Sequence, residues 1–105
     1  MPNKYKIKFT LEAEKDIENI CHYVSENLNT PTAAMNIIEE IESKVMNLTH
    51  MPFSCSVVED EFLRVRGYRK LIVRNFLVLY IVFEDESLIN IMRVVYGSSN
   101  YKKSI

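Results

Sequence analysis

The run from Gly67 to Tyr96 constrains the fold more than any other part of the chain. It holds three apolar stretches separated only by Arg74-Asn75 and by Glu84 to Ser87. Connections that short leave no room for a crossover, so the stretches form a meander of antiparallel strands. The first reads Tyr68 to Val73, the second Phe76 to Phe83 and the third Leu88 to Tyr96. Phe76 to Phe83 is apolar almost throughout, which suits a strand buried on both faces. Gly67 stands where the chain must turn into the first strand, and Asn75 is expected to supply the left-handed turn residue.

A sheet of this kind needs a covering layer, and the first half of the chain provides one. Tyr5, Ile7 and Phe9 alternate with Lys4, Lys6 and Lys8, the pattern of a half-buried strand. Thr10 is placed to cap a helix over Leu11 to Leu28, whose stripe is Ile17, Ile20, Cys21, Val24 and Leu28. Glu12, Glu14, Asp16 and Glu18 fill its first two turns, where the helix dipole favours acids. Thr30-Pro31 opens a second helix striped by Ala34, Ile37, Ile38, Ile41, Val45 and Leu48, closing before Pro52. The short loop between them makes the helices an antiparallel hairpin. Residues 52–66 are the least regular part, with the acidic trio Glu59-Asp60-Glu61 read as a solvated loop.

The expected order is therefore β-α-α-β-β-β. This is an α+β fold in one domain spanning 1–105, with an antiparallel sheet of about four strands and an N-terminal helical hairpin packed on it. The N-terminal strand is expected at an edge of the sheet. An apolar content of 48% suits a globular chain, and no apolar run is long enough to span a bilayer. The N-terminus lacks the apolar core of a signal peptide, so the expected compartment is the cytoplasm, with no membrane association. Cys21 and Cys55 are then expected as free thiols. Two histidines and two cysteines make no closed metal site, so no metal and no cofactor is expected.

The formal charge of −1 conceals a division. Residues 1–63 carry a net −6 and residues 64–105 a net +5. The basic residues Arg64, Arg66, Arg69, Lys70, Arg74 and Arg93 all lie on or beside the meander. Arginine is always charged and grips phosphate bidentately, so this half is a candidate phosphate-binding surface. Arg93 lies inside a strand; simple alternation sets it on the face of Ile89, Ile91 and Val95. A charge among apolar neighbours needs a partner, here a helix carboxylate or a phosphate.

Three segments carry a family resemblance: Gly67-Tyr68-Arg69-Lys70-Leu71, Asn75 to Tyr80, and Arg93-Val94-Val95-Tyr96-Gly97. The helix bearing Ala13, Asp16, Ile17, Ile20 and Tyr23 supports them. From Tyr5 to Tyr101 the chain resembles the RelE/ParE superfamily, toxins of type II toxin–antitoxin systems often described as plasmid stabilisation proteins. The resemblance implies a toxin held inactive by a cognate antitoxin in a hetero-oligomer. RelE-like members enter the ribosome and cut mRNA, inhibiting translation. ParE-like members poison DNA gyrase.

Under the endoribonuclease reading no metal is needed. A base must take the ribose 2′ proton, an acid must protonate the leaving oxygen, and cations must hold the phosphate charge. The resemblance places Arg69, Tyr96 and Tyr101 in the catalytic roles. Arg64, Arg66, Lys70, Arg74 and Arg93 are the RNA- or phosphate-binding candidates. One departure bears on this. Many relatives read G-R-R-D-Y after the last strand, whereas this chain reads Gly97-Ser98-Ser99-Asn100-Tyr101. The missing cations fit a weak nuclease, a differently built site, a gyrase-directed toxin or an inactive antitoxin-binding relative, and discriminate only weakly towards the last two. The leading expectation is a ribosome-dependent mRNA endoribonuclease; these two are its alternatives.

Overall fold

The computed structural model describes residues 4–27 and 31–97. Strand β1 (Lys6–Phe9) leads into helix α1 (Leu11–Asn27), then α2 (Pro31–Asn47), a one-turn helix α3 (Glu61–Arg64), and strands β2 (Arg69–Val73), β3 (Phe76–Phe83) and β4 (Leu88–Tyr96). The order matches the sequence expectation. The sheet runs β1-β4-β3-β2, with β1 at an edge.

The sheet is mixed rather than wholly antiparallel. β2–β3 and β3–β4 are antiparallel hairpins, but β1 lies parallel to β4, with Lys6 opposite Leu88 and Phe9 opposite Ile91. Alternation reports which face a side chain takes, not which way a strand runs beside a distant partner. The direction follows from the helical hairpin. The Thr49 carbonyl accepts the Tyr5 amide at 3.1 Å, so the end of α2 hands the chain back where β1 begins.

Two cores flank the sheet. On the helix side, Ile20, Val24, Ile37, Ile41 and Val45 pack against Val73, Val78, Tyr80, Ile89, Ile91 and Val94. On the outer side, Val58 and Leu63 from the 57–66 segment cover Tyr68, Leu77 and Leu79. The segment read as irregular is therefore a lid on the second face. Asp60 accepts the Leu63 amide at 3.1 Å and caps α3, so one of the three acids has a structural role. Gly67 adopts φ 86°, a left-handed turn that admits glycine without strain. In the β2–β3 turn the left-handed residue is Arg74 (φ 54°), not Asn75. The Arg74 side chain is held by Glu40 of α2 at 2.7 Å.

Alternation along β4 is broken by a bulge. Leu79 faces Arg93 but Tyr80 faces Ile91, so Met92 has no partner on β3. Ile89, Ile91 and Val94 consequently face the helices, while Met92 and Val95 face outward. Arg93, paired with Leu79, lies on the outer face and not with Ile89 and Ile91.

The bulge occurs where β1 has ended, and α1 takes over the exposed edge. Thr10 caps α1 through the Ala13 amide (3.0 Å) and donates its hydroxyl to the Met92 carbonyl (2.8 Å). Asp16, nearly two turns on, accepts Arg93 Nε (2.7 Å), Arg93 Nη2 (2.9 Å) and the Val94 amide (2.9 Å). One carboxylate thus satisfies a guanidinium and a bulged backbone amide. Removing one partner of such a half-buried pair leaves the other charge uncompensated. Asp16→Ala is expected to lower stability by about 3 kcal/mol in urea denaturation. The double variant Asp16→Ala/Arg93→Met is expected to recover part of that loss.

Candidate functional site

The sheet has two faces, and the candidate residues divide between them. Arg69 pairs with Tyr80 on the helix side. Its guanidinium donates to the Cys55 carbonyl and lies 4.9 Å from the centre of the Phe53 ring. Beside it, the buried Tyr80 hydroxyl donates to the Pro52 carbonyl at 3.0 Å. Arg69 and Tyr80 together fasten the 52–55 loop to the sheet.

Tyr96 lies opposite Phe76, with ring centroids 4.9 Å apart and Tyr23 of α1 at 6.2 Å. It borders a cleft of about 330 Å³ between α1 and the end of β4, with Asn19 and Ile20 across it. Arg69 and Tyr96 flank β3 from opposite sides, at partners four residues apart. That is about 13 Å along the strand and roughly 10 Å across it. The two do not meet on one phosphate. Tyr101, Ser98 and Ser99 lie outside the described residues.

The outer face gathers a different set. Lys70 and Arg93 both pair with Leu79, one from each side. Arg66 and Arg93 both act electrostatically on Tyr68, which is buried between β3 and the lid. Arg66 stacks on the Phe62 ring at 3.6 Å and donates to the Phe62 carbonyl at 2.8 Å. Arg64 is exposed on α3. Arg74 sits apart, at the hairpin turn, in its ion pair with Glu40. Tyr68 was not among the sequence candidates. Its alternation with Lys70 was the available signal, since both then face outward.

Burial moves the phenols away from base chemistry. Desolvation raises Tyr68 above its ordinary value, against the opposing pull of Arg66 and Arg93. Burial raises Tyr80 strongly, and the neighbouring Cys55 thiol adds to this. Tyr96 is raised by burial and by the neighbouring Tyr23. All three stay protonated at neutral pH, so none is a ready acceptor of a ribose proton. The hydrogen bond to Asp16 raises Arg93, which remains charged. Among the described residues, no group of three or more His, Cys, Asp or Glu is placed to hold a metal ion. Cys21 and Cys55 are free thiols. No described helix is long and apolar enough to cross a membrane.

The family model of the ParE toxin of type II toxin–antitoxin systems, parDE, matches residues 7–101. The chain belongs to the ParE toxin family. Solved structures share its fold. A chain of the chromosomal ParDE toxin–antitoxin system from P. aeruginosa aligns with TM-score 0.73 and 21% identity, covering 90% of this chain and 97% of that one. A mutant of the E. coli toxin RelE in the free state gives TM-score 0.68 and 12% identity, covering 96% and 92%. YafQ from E. coli strain BL21(DE3) gives TM-score 0.55 and 15% identity, covering 90% and 96%. No match is found among curated proteins.

The tyrosine environment has a measurable consequence. Above about pH 10 the unfolded chain releases phenolic protons that folded Tyr68, Tyr80 and Tyr96 retain. The unfolded state then binds fewer protons, so stability falls as pH rises. Urea midpoints measured from about pH 8 to 11 are expected to decline above about pH 10 and to decline less steeply in Tyr80→Phe.

Proposed function

We propose that this ParE-family chain is the toxin of a type II module that acts by binding DNA gyrase rather than by cutting RNA. The carrying observation is the placement of Arg69 and Tyr96. They lie on the helix-covered face, far apart, with Arg69 fastening a loop. The one phenol among the outer cations, Tyr68, is 5% exposed and held protonated. A binding mechanism needs neither a base nor a leaving-group acid. The tail Gly97-Ser98-Ser99-Asn100 agrees with this, lacking the paired cations of many relatives.

On this reading the outer face, with Arg66, Lys70 and Arg93, is a recognition surface. Its charge suits an acidic segment of the cognate antitoxin, and the similar structures include the RelBE and DinJ-YafQ toxin–antitoxin complexes. The antitoxin then neutralises the toxin by covering that face in a hetero-oligomer.

Induction in cells lacking the antitoxin is expected to arrest replication and to raise DNA-damage signalling, with mRNA intact. Rapid arrest of translation with transcripts cut within codons would restore the endoribonuclease reading. Unimpaired growth would leave only an antitoxin-binding role. A variant reversing charge on the outer face, Arg66→Glu/Lys70→Glu, is expected to weaken antitoxin binding at least tenfold.

A further inference from the structure

The basic outer face reaches further than Arg66, Lys70 and Arg93. On β1, Ile7 and Phe9 pack against the helix-side core, so Lys6 and Lys8 alternate onto the outer face, and both are exposed. Neither was among the sequence candidates. Lys8 lies opposite Asn90 of β4, which lies opposite Ile81 of β3. Lys70 pairs with Leu79, two residues along β3 from that row, and Arg66 leads into β2 at the same end through the Gly67 turn. The face therefore has two banks of cations. Lys6 and Lys8 line one edge of the sheet, Arg66 and Lys70 the other, with Ile81, Asn90 and Met92 between them. Both ion pairs among the described residues take their cations from elsewhere, from Arg74 and Arg93, so the four bank cations have no carboxylate partner there.

Charge is sorted by side. The helical side carries Glu14, Glu18 and Glu42 around a groove between α1 and α2. The outward strand positions carry no acid; the acids of this side lie at its margins, in the lid (Glu59, Glu61) and in the β3–β4 turn (Glu84, Asp85, Glu86). At about 0.1 M salt the Debye length is about 10 Å, so a ligand on the outer face is largely screened from the helical acids. A polyanion is the partner that uses both banks at once.

We propose, resting on the gyrase reading only for where the contact is made in the cell, that the two banks bind the phosphate backbones of duplex DNA. The toxin then meets its target as a gyrase–DNA complex, and an antitoxin segment covering this face displaces the DNA. Spacing selects a duplex. The banks are three strand spacings apart, about 14 Å. A B-form major groove is about 12 Å wide, so each bank meets one of its two phosphate strands. Lys6 and Lys8, about 7 Å apart along β1, follow a strand rather than a single phosphate. The floor disfavours single strands, which are held by bases stacked on aromatic rings. Ile81 and Met92 offer no ring, and Tyr68 is buried. Phe83 stands at the far margin beside the acidic turn, where phosphate is repelled.

The probe is a fluorescent duplex of about 20 base pairs with no chosen sequence, titrated with the full chain and followed by anisotropy. Binding tighter than about 100 μM is expected at about 50 mM salt. Four phosphate contacts give a log–log salt slope near −3.6, about a hundredfold loss between roughly 50 and 200 mM. Lys6→Gln/Lys8→Gln should reduce that slope by about 2 and weaken binding at least tenfold. Arg66→Gln/Lys70→Gln, on the other bank, should do the same, and it serves if the first variant loses its circular dichroism. Lys44→Gln, on α2 behind the sheet, should bind as the parent chain does. Single-stranded RNA of the same length should bind at least fivefold more weakly. Absence of duplex binding, tighter binding of the RNA, an unchanged slope in both bank variants, or an equal loss in Lys44→Gln overturns the proposal. Gyrase inhibition without duplex binding overturns it while sparing the gyrase reading. Duplex binding without gyrase inhibition supports it and removes the gyrase reading.

Discussion

The Asp16 carboxylate holds the two halves of this protein together. It receives the Arg93 guanidinium and the Val94 amide where β4 is bulged and β1 no longer covers its edge. Without it, a strand in the middle of the sheet would lose the acceptor of its bulged Val94 amide and the carboxylate that holds Arg93. The cost of leaving such groups unpaired is several times that of an ordinary surface contact. Thr10 works on the same edge, capping α1 and binding the Met92 carbonyl. The first two turns of α1 thus do for β4 what a longer β1 would have done. The pairing of a helix acid with a strand arginine also explains why Arg93 tolerates a place inside the sheet.

That arrangement commits the arginines to architecture and leaves charge sorted by face. Arg93 is tied to Asp16, Arg74 to Glu40, and Arg69 to the 52–55 loop. What remains on the outer face is a group of cations around a sealed phenol. What remains on the helical hairpin is an apolar groove with an acidic rim. A protein built this way carries surfaces of opposite charge on its two sides, and its described buried phenols stay protonated.

Much of the fold was legible in the chain because its signals are local. The stripes of α1 and α2, the Thr10 cap, Pro31 at a helix start, Gly67 at a left-handed turn and the meander all follow from spacing and backbone sterics. Three features depended on distant contacts and did not. The direction of β1 is decided by where α2 returns the chain. The bulge at Met92 is decided by the fit of β4 to β3 and to α1, and it separates Arg93 from the expected neighbours Ile89 and Ile91 while leaving it with Val95. The left-handed residue of the β2–β3 turn is Arg74, whose side chain is anchored by Glu40. For the site, residue type was a better guide than position. The basic character of the second half was visible at once, but only the register shows that Arg69 and Tyr96 lie apart while Lys70 and Arg93 flank Leu79. Tyr68 was hidden by its own burial.

The central claim is that this chain acts on its target by binding and performs no RNA chemistry. The most direct measurement adds the purified toxin, in parallel, to gyrase with relaxed plasmid and to a reconstituted translation reaction. The account predicts inhibited supercoiling with accumulation of gyrase-cleaved DNA, and full-length mRNA on the ribosomes. Codon-phased mRNA cleavage with unimpaired supercoiling would contradict it.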